Sequence, residues 1–336
     1  MAYTTINDPS AQFQTQLYTG NASTLNVVNS GNANLQPDFV WLKNYGTAGK
    51  DYGMFDTNRG TTKMLSSNNN GNENTVATSL TAFNSDGFTL GSDGGPNANS
   101  SSNVAWQWKA NGGTTSSNSS GTITSTVQAN TTAGFSIVSY TGNNTSGATV
   151  GHGLGAVPDT IFLKALTDSQ NWFVNTPVGG GTGYMMLNQT NADSGSNSSV
   201  WNSTAPTSTV FTLGNSGGVN DSISYIAYCF ANTKGFSSFG SYSGSGGSAG
   251  PFVFLGFKPA FVMIKKVNAA EDWGIVDDKR SSTNGFNVID RFLYANENHA
   301  QATTQTPADL LSNGFKFRNS DGKWNTDGSQ YIYMAF

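Results

Sequence analysis

Apolar residues along this chain fall in short runs, rich in Val, Ile, Phe, Tyr, Trp and Thr and bounded by Gly, Asn, Ser and Asp. Runs of roughly five to eight residues with such boundaries predict β-strands. Residues 135–140 place apolar side chains at Phe135, Ile137 and Val138, an imperfect alternation. Three runs behave differently. Each follows a proline and ends in lysine: Pro37-Asp-Phe39-Val-Trp41-Leu-Lys43, Pro158-Asp-Thr-Ile161-Phe-Leu163-Lys164 and Pro259-Ala-Phe261-Val-Met-Ile264-Lys265. Their nearly continuous apolar character predicts strands buried on both faces. One helix is expected at 306–311, with Thr306 as cap and Pro307 at the first helical position. The same slot upstream is 78–83.

The strands recur in a fixed order. An aromatic strand and Gly turn come first (residues 13–21, 135–143 and 236–244), then the Pro–Lys strand. A third strand lies around Phe55-Asp56, Trp172-Phe-Val174 and Trp273-Gly-Ile-Val276. A Phe strand follows at Phe88, Phe211 and Phe315. The series closes on Val104-Ala-Trp106-Gln-Trp108, Tyr225-Ile-Ala-Tyr228-Cys-Phe230 and Tyr331-Ile-Tyr-Met-Ala-Phe336. Repeats of this kind signal tandem structural units. The fold class expected is all-β: three tandem β-sandwich, jelly-roll-like repeats of roughly 100 residues, a size at which one sandwich holds a core.

The expected organisation is an N-terminal arm (1–12), repeat 1 (13–110), a Gly/Ser/Thr/Asn-rich linker (111–134), repeat 2 (135–232) and repeat 3 (233–336). Residues 122–127 in the linker alternate and would suit an edge strand. The chain closes on the last strand of repeat 3, so no further domain is expected there. Pattern alone leaves open whether the repeats form a rod or a compact pseudo-threefold cluster.

Composition narrows the function. Aromatics at 12% favour a folded chain over a disordered one. Charged residues are only 11% and the net charge is −4, which argues against a nucleic-acid footprint of clustered Lys and Arg. Cys229 is the only cysteine; it excludes an intramolecular disulfide and reads as a buried small hydrophobe. Residues 1–14 are polar, so no secretory leader is expected, and no apolar stretch is long enough for a membrane helix.

No sequence motif of zinc-dependent or nucleotide chemistry is present. His152 stands in a Gly-rich loop and His299 in Asn296-Glu-Asn-His-Ala300; both read as loop residues. Glu271, Asp272, Asp277 and Asp278 are the candidates for the paired carboxylates of glycoside hydrolysis, but the other repeats lack most of them. Asp86, Asp321 and Asp327, in or beside Asp-Gly turns, are weak candidates for calcium, which needs six to eight oxygen ligands. Hairpin turns explain such Asp-Gly pairs equally well, and no cofactor is expected otherwise. Tyr45, Tyr52, Trp201, Tyr294 and Trp324 stand in Asn- and Gly-rich loop contexts. Exposed there, their rings would stack on sugars, making them candidate glycan contacts.

Residues 13–21 with Leu35-Gln-Pro-Asp-Phe-Val-Trp-Leu-Lys43 resemble repeat-containing structural proteins of tailed bacteriophages, notably marine ones. Residues 250–265, Leu311-Ser-Asn-Gly-Phe-Lys316 and the terminal 331–336 are similar to the same proteins. The resemblance extends over nearly the whole chain from about residue 8 and carries no catalytic residues. It implies a virion protein, assembled in the host cytoplasm and extracellular on the mature particle. Its expected partners are other virion proteins, a host surface receptor or glycan, and further copies of itself, by analogy a homotrimer; no nucleic acid and no membrane insertion are expected. Three uses follow. The first is a tail fibre or spike that attaches to the host without catalysis, gaining avidity from linked copies. The second is an architectural head-decoration or tail-ring protein. The third is a glycan depolymerase.

Overall fold

The computed structural model describes residues 4–281, 287–303 and 307–336. It contains 27 strands, three one-turn α-helices and two 3-10 turns within those residues. The first unit holds β1 (Phe13–Thr19), β2 (Leu25–Val27), β3 (Phe39–Asn44), β4 (Gly53–Asp56), β5 (Lys63–Met64), β6 (Asn74–Thr75), β7 (Leu80–Phe83), β8 (Phe88–Leu90) and β9 (Ser102–Trp108). Two strands follow, β10 (Ser116–Asn118) and β11 (Ser125–Asn130). The second unit holds β12 (Phe135–Thr141), β13 (Thr149–Gly151), β14 (Thr160–Ala165), β15 (Phe173–Asn175), β16 (Met185–Met186), β17 (Val210–Thr212) and β18 (Ser224–Phe230), with α1 (Ser198–Trp201) and α2 (Gly217–Asn220). The third holds β19 (Ser238–Ser243), β20 (Phe252–Phe254), β21 (Phe261–Lys266), β22 (Gly274–Asp277), β23 (Val288–Ile289), β24 (Leu293–Tyr294), β25 (Ala308–Leu311), β26 (Gly314–Phe317), α3 (Gly322–Asn325) and β27 (Gln330–Ala335).

The chain is all-β, and each unit is a two-layer sandwich. The inner sheets share one strand order: β1-β9-β3-β4, β12-β18-β14-β15 and β19-β27-β21-β22. The outer sheets are β2-β8-β7, β13-β17 and β20-β26-β25-β23. Each Pro–Lys strand is buried along its whole length and lies between the last strand of its unit and the hairpin partner that follows it. One face packs under the unit's own outer sheet, around Phe88, Phe211 and Phe315. The other enters a core shared by all three units. That shared core makes the arrangement a compact pseudo-threefold cluster. At its axis Trp108, Phe230 and Phe336, at equivalent positions, form a triangle with ring centroids 5.6 to 6.3 Å apart.

Two local expectations are corrected. Residues 308–311 are strand β25 and 80–83 are strand β7, so the helix expected at 306–311 does not form; Thr306 lies outside the described residues. Pro307 precedes a strand here, because Leu310 is needed in the outer-sheet core beside Phe315. The segment 111–134 contains β10 and β11, which extend the second inner sheet to seven strands. The actual helices sit at the sandwich ends, capped by Asn197, Ser216 and Asp321.

A buried asparagine closes one end of each unit. Asn97, Asn220 and Asn325 accept from the amides of Asn21, Asn143 and Ser245. Their side-chain nitrogens donate to two carbonyls each, Ser23 and Gly91, Thr145 and Gly214, Gly247 and Asn319. The hydroxyls of Tyr18, Tyr140 and Tyr242 reach the carbonyl of the residue before each asparagine. Gly20, Gly142 and Gly244 approach the same turn so closely that a Cβ would lie 2.1 to 2.2 Å from a carbonyl oxygen.

Candidate functional site

The residues expected to face a glycan are mostly inside. Trp201 packs against Phe211 beneath the second outer sheet, and Trp324 between Phe292 and Phe317 beneath the third; each is 1% exposed. Tyr52 is fully buried, while Tyr45 and Tyr294 are half-buried. This corrects the glycan-contact assignment for Tyr52, Trp201 and Trp324: the loops that carry them lie under neighbouring elements.

Tyr45, Tyr52 and Tyr294 instead belong to a ring that ties the units together. Tyr52, Trp172 and Trp273 are equivalent, each immediately preceding the strand after the Pro–Lys strand. Their polar atoms reach across to the next unit: Tyr52 Oη to the Tyr294 carbonyl, Trp172 Nε1 to Ser66 and Trp273 Nε1 to Met186, at 3.0, 2.8 and 2.9 Å. Asn68, Asn188 and Asn296 fix the three residues through their backbone amides. A second ring runs through the backbone: Gln301 N–H to Tyr45, Glu73 N–H to Leu166 and Asp193 N–H to Val267. Each bond of both rings links unit 1 to unit 3, unit 2 to unit 1, or unit 3 to unit 2, so both rings close.

The lysines that end the Pro–Lys strands sit beside this ring. The Lys43 ammonium donates to the Lys50 and Asn298 carbonyls and lies 5.1 Å from the centre of the Tyr52 ring. Lys164 donates to Ala165, and Lys265 to Lys266 and Thr190. Burial lowers all three ammonium pKa values to about 8. Asp56 and Asp277 form short ion pairs with Arg59 and Arg280, at 2.5 and 2.6 Å. Each carboxylate also accepts from a neighbouring unit, Asp56 from the Tyr228 hydroxyl and Asp277 from Trp106 Nε1. The second unit has Thr176 and Gly179 at these positions, and Thr176 Oγ1 is buried with no hydrogen-bond partner among the described residues.

The metal candidates are not brought together. Asp86 accepts from the Leu35 amide, Asp321 caps α3, and Asp327 is exposed. Among the described residues no three His, Cys, Asp or Glu side chains converge on a metal position. His152 is buried, its Nε2 3.1 Å from the Thr207 carbonyl, and burial lowers its pKa; His299 is exposed beside Glu297. Cys229 is buried, its thiol pushed up to about 12. No helix among the described residues is long and apolar enough to cross a membrane.

A concavity opens where the N-terminal arm meets the third unit. It encloses about 410 Å³ between Asp8, Pro9 and Ser10 of the arm, the 30–32 loop, the 257–260 turn and Asp278-Lys279. Phe13, Phe236 and Phe336 form its floor. The arm is held there by Gln14, whose side chain bonds Ser10, Ala33 and Gly31, and by Ser10 Oγ on Asp8. Desolvation raises the Asp278 carboxyl to about 6, against partial relief from Lys279 and Lys258. Its Oδ1 is buried without a partner among the described residues. An aromatic floor with Lys258 and Lys279 at the rim makes this a concave, partly apolar site. In the sequence Asp278 stood only as a candidate hydrolytic carboxylate, and nothing tied it to the arm some 270 residues upstream.

No curated protein and no solved structure matches this chain. A family model described as a domain of unknown function, DUF7483, matches residues 8–336, and the chain therefore belongs to the DUF7483 family.

Proposed function

We propose that the chain is a non-catalytic structural protein of a tailed-bacteriophage particle, working as a rigid triangular block. The closed rings of inter-unit hydrogen bonds carry this reading. Through them three sandwiches share one core and present three related outer faces, a shape suited to packing among neighbours in a tail ring, a fibre or a head surface. The likeness of residues 13–21, 35–43 and 250–265 to phage structural repeats supports placement on the virion. An architectural role is favoured over host attachment through loop aromatics, because Tyr52, Trp201 and Trp324 are used inside the fold. Its partners in this reading are other virion proteins and further copies of the chain.

A second reading, attachment to a host-surface ligand, is favoured by the cavity at Asp278. Mass spectrometry of purified particles from a phage encoding the chain tests the main reading, followed by a cryo-EM map. We expect the chain in the particle, with its outer faces against neighbouring subunits. Its absence from purified particles would overturn the proposal. A projecting position with the arm cavity turned outward would favour attachment.

A further inference from the structure

The three outer sheets end in equivalent edge strands, β2, β13 and β20, whose middle or last valine (Val27, Val150, Val253) opposes Phe88, Phe211 and Phe315. They are finished differently. The edge of β13 is covered by a segment of the chain itself. Ile123 bridges Val150 in parallel, its amide donating to the Thr149 carbonyl. Thr122 and Thr149 exchange backbone-to-hydroxyl bonds, and Ser125 Oγ donates to the Gly151 carbonyl. Gly121 permits the approach, since a Cβ there would lie 2.3 Å from the Thr149 oxygen. Ile123 thereby joins the core of the second unit.

The third unit has no such cover among the described residues. Its edge strand β20 carries Phe252 and Phe254, 44% and 65% exposed, on either side of buried Val253. The Phe252 ring leans over Gly314 of the next strand, 3.1 Å from where a Cβ would stand. Val253 opposes Phe315 and the Leu255 amide bonds Asn313. Alternation therefore turns the backbone groups of Phe252 and Phe254 away from the sheet, as those of Thr149 are turned toward Thr122 and Ile123. Exposed edges of this kind template strand addition.

We infer that β20 is a docking edge for an extended segment of another protein chain, added in parallel as residues 121–125 add to β13. The occupant's chemistry follows from that internal example: a small residue, a hydroxyl residue, a β-branched apolar residue and a further hydroxyl residue. This inference is independent of the proposed virion role.

The test adds a synthetic peptide of residues 119–127 to the full-length chain and reads amide hydrogen exchange at Phe252 and Phe254. We expect exchange there to slow by roughly tenfold at saturating peptide. The effect should vanish in Phe254→Pro, which removes an outward amide without touching the Val253–Phe315 pairing, and in Phe254→Asp. Unchanged exchange in the wild-type chain, or the same protection in both variants, would overturn the inference. Concentration-dependent dimers protecting the same amides without peptide would also overturn it, by making a second copy the occupant.

Discussion

Asn220, itself fully buried, donates to two carbonyls and accepts from one amide, so replacing it strands three backbone groups at once. Asn220→Ala should cost about 2–4 kcal/mol in chemical denaturation; a loss below about 1 kcal/mol would show that water replaces the side chain. Thr176 offers the opposite case. Its hydroxyl is buried without a partner, so Thr176→Val, close in shape, should stabilise by about 1 kcal/mol in the same assay. Asp278 has a folded-state pKa above its unfolded value, so its penalty develops as pH rises from about 4 to about 6 and is fully present at neutrality. Asp278→Asn should therefore stabilise the chain by about 1–2 kcal/mol at pH 7 and by nothing near pH 3, measured as thermal midpoints at both values. These residues were hard to find in the sequence. Asn97 sits in a loop and Asn220 and Asn325 end α2 and α3, all in stretches crowded with other Asn, Gly and Ser, and their burial comes from turns that close around them.

Strands were legible where the pattern was strong. The Pro–Lys strands and the closing aromatic strands occur where periodicity and composition place them, because a strand buried on both faces needs an unbroken apolar run. What the runs did not reveal was their second neighbour. A β-strand pattern records that a face is buried, not that the covering surface is another unit. For the same reason Tyr52, Trp201 and Trp324 looked like loop aromatics open to solvent. Trp172 and Trp273 show the consequence at the level of elements: each immediately precedes a strand of its own unit and donates into the next. Trp172→Phe replaces the indole by a smaller ring and leaves the Ser66 carbonyl unpaired, which should cost about 2 kcal/mol or more. Tyr52→Phe should cost about 1–2 kcal/mol through Tyr294. A double-mutant cycle reads the coupling, which is expected to be positive because both bonds belong to one ring.

At the scale of the molecule, the three ring lysines make stability pH-dependent. Their folded pKa values near 8 lie below the unfolded value near 10.4. The unfolded chain thus binds more protons between those limits, and stability should rise as pH climbs from about 8 toward 10. Half-buried Tyr18 and buried Tyr52, Tyr140 and Tyr228 are held well above their ordinary value. They reverse the trend above about pH 10, where the unfolded state ionises first. Denaturant midpoints from pH 7 to 11 should pass through a maximum, flattened on its rising side by Lys164→Met.

The shared core and the closed rings also imply that no unit unfolds alone, although a chain of this length ordinarily behaves as separate domains. Differential scanning calorimetry of the full chain tests this directly. A single transition with equal van't Hoff and calorimetric enthalpies is predicted. Two or three resolved transitions, each with the enthalpy of one sandwich, would contradict the single pseudo-threefold body.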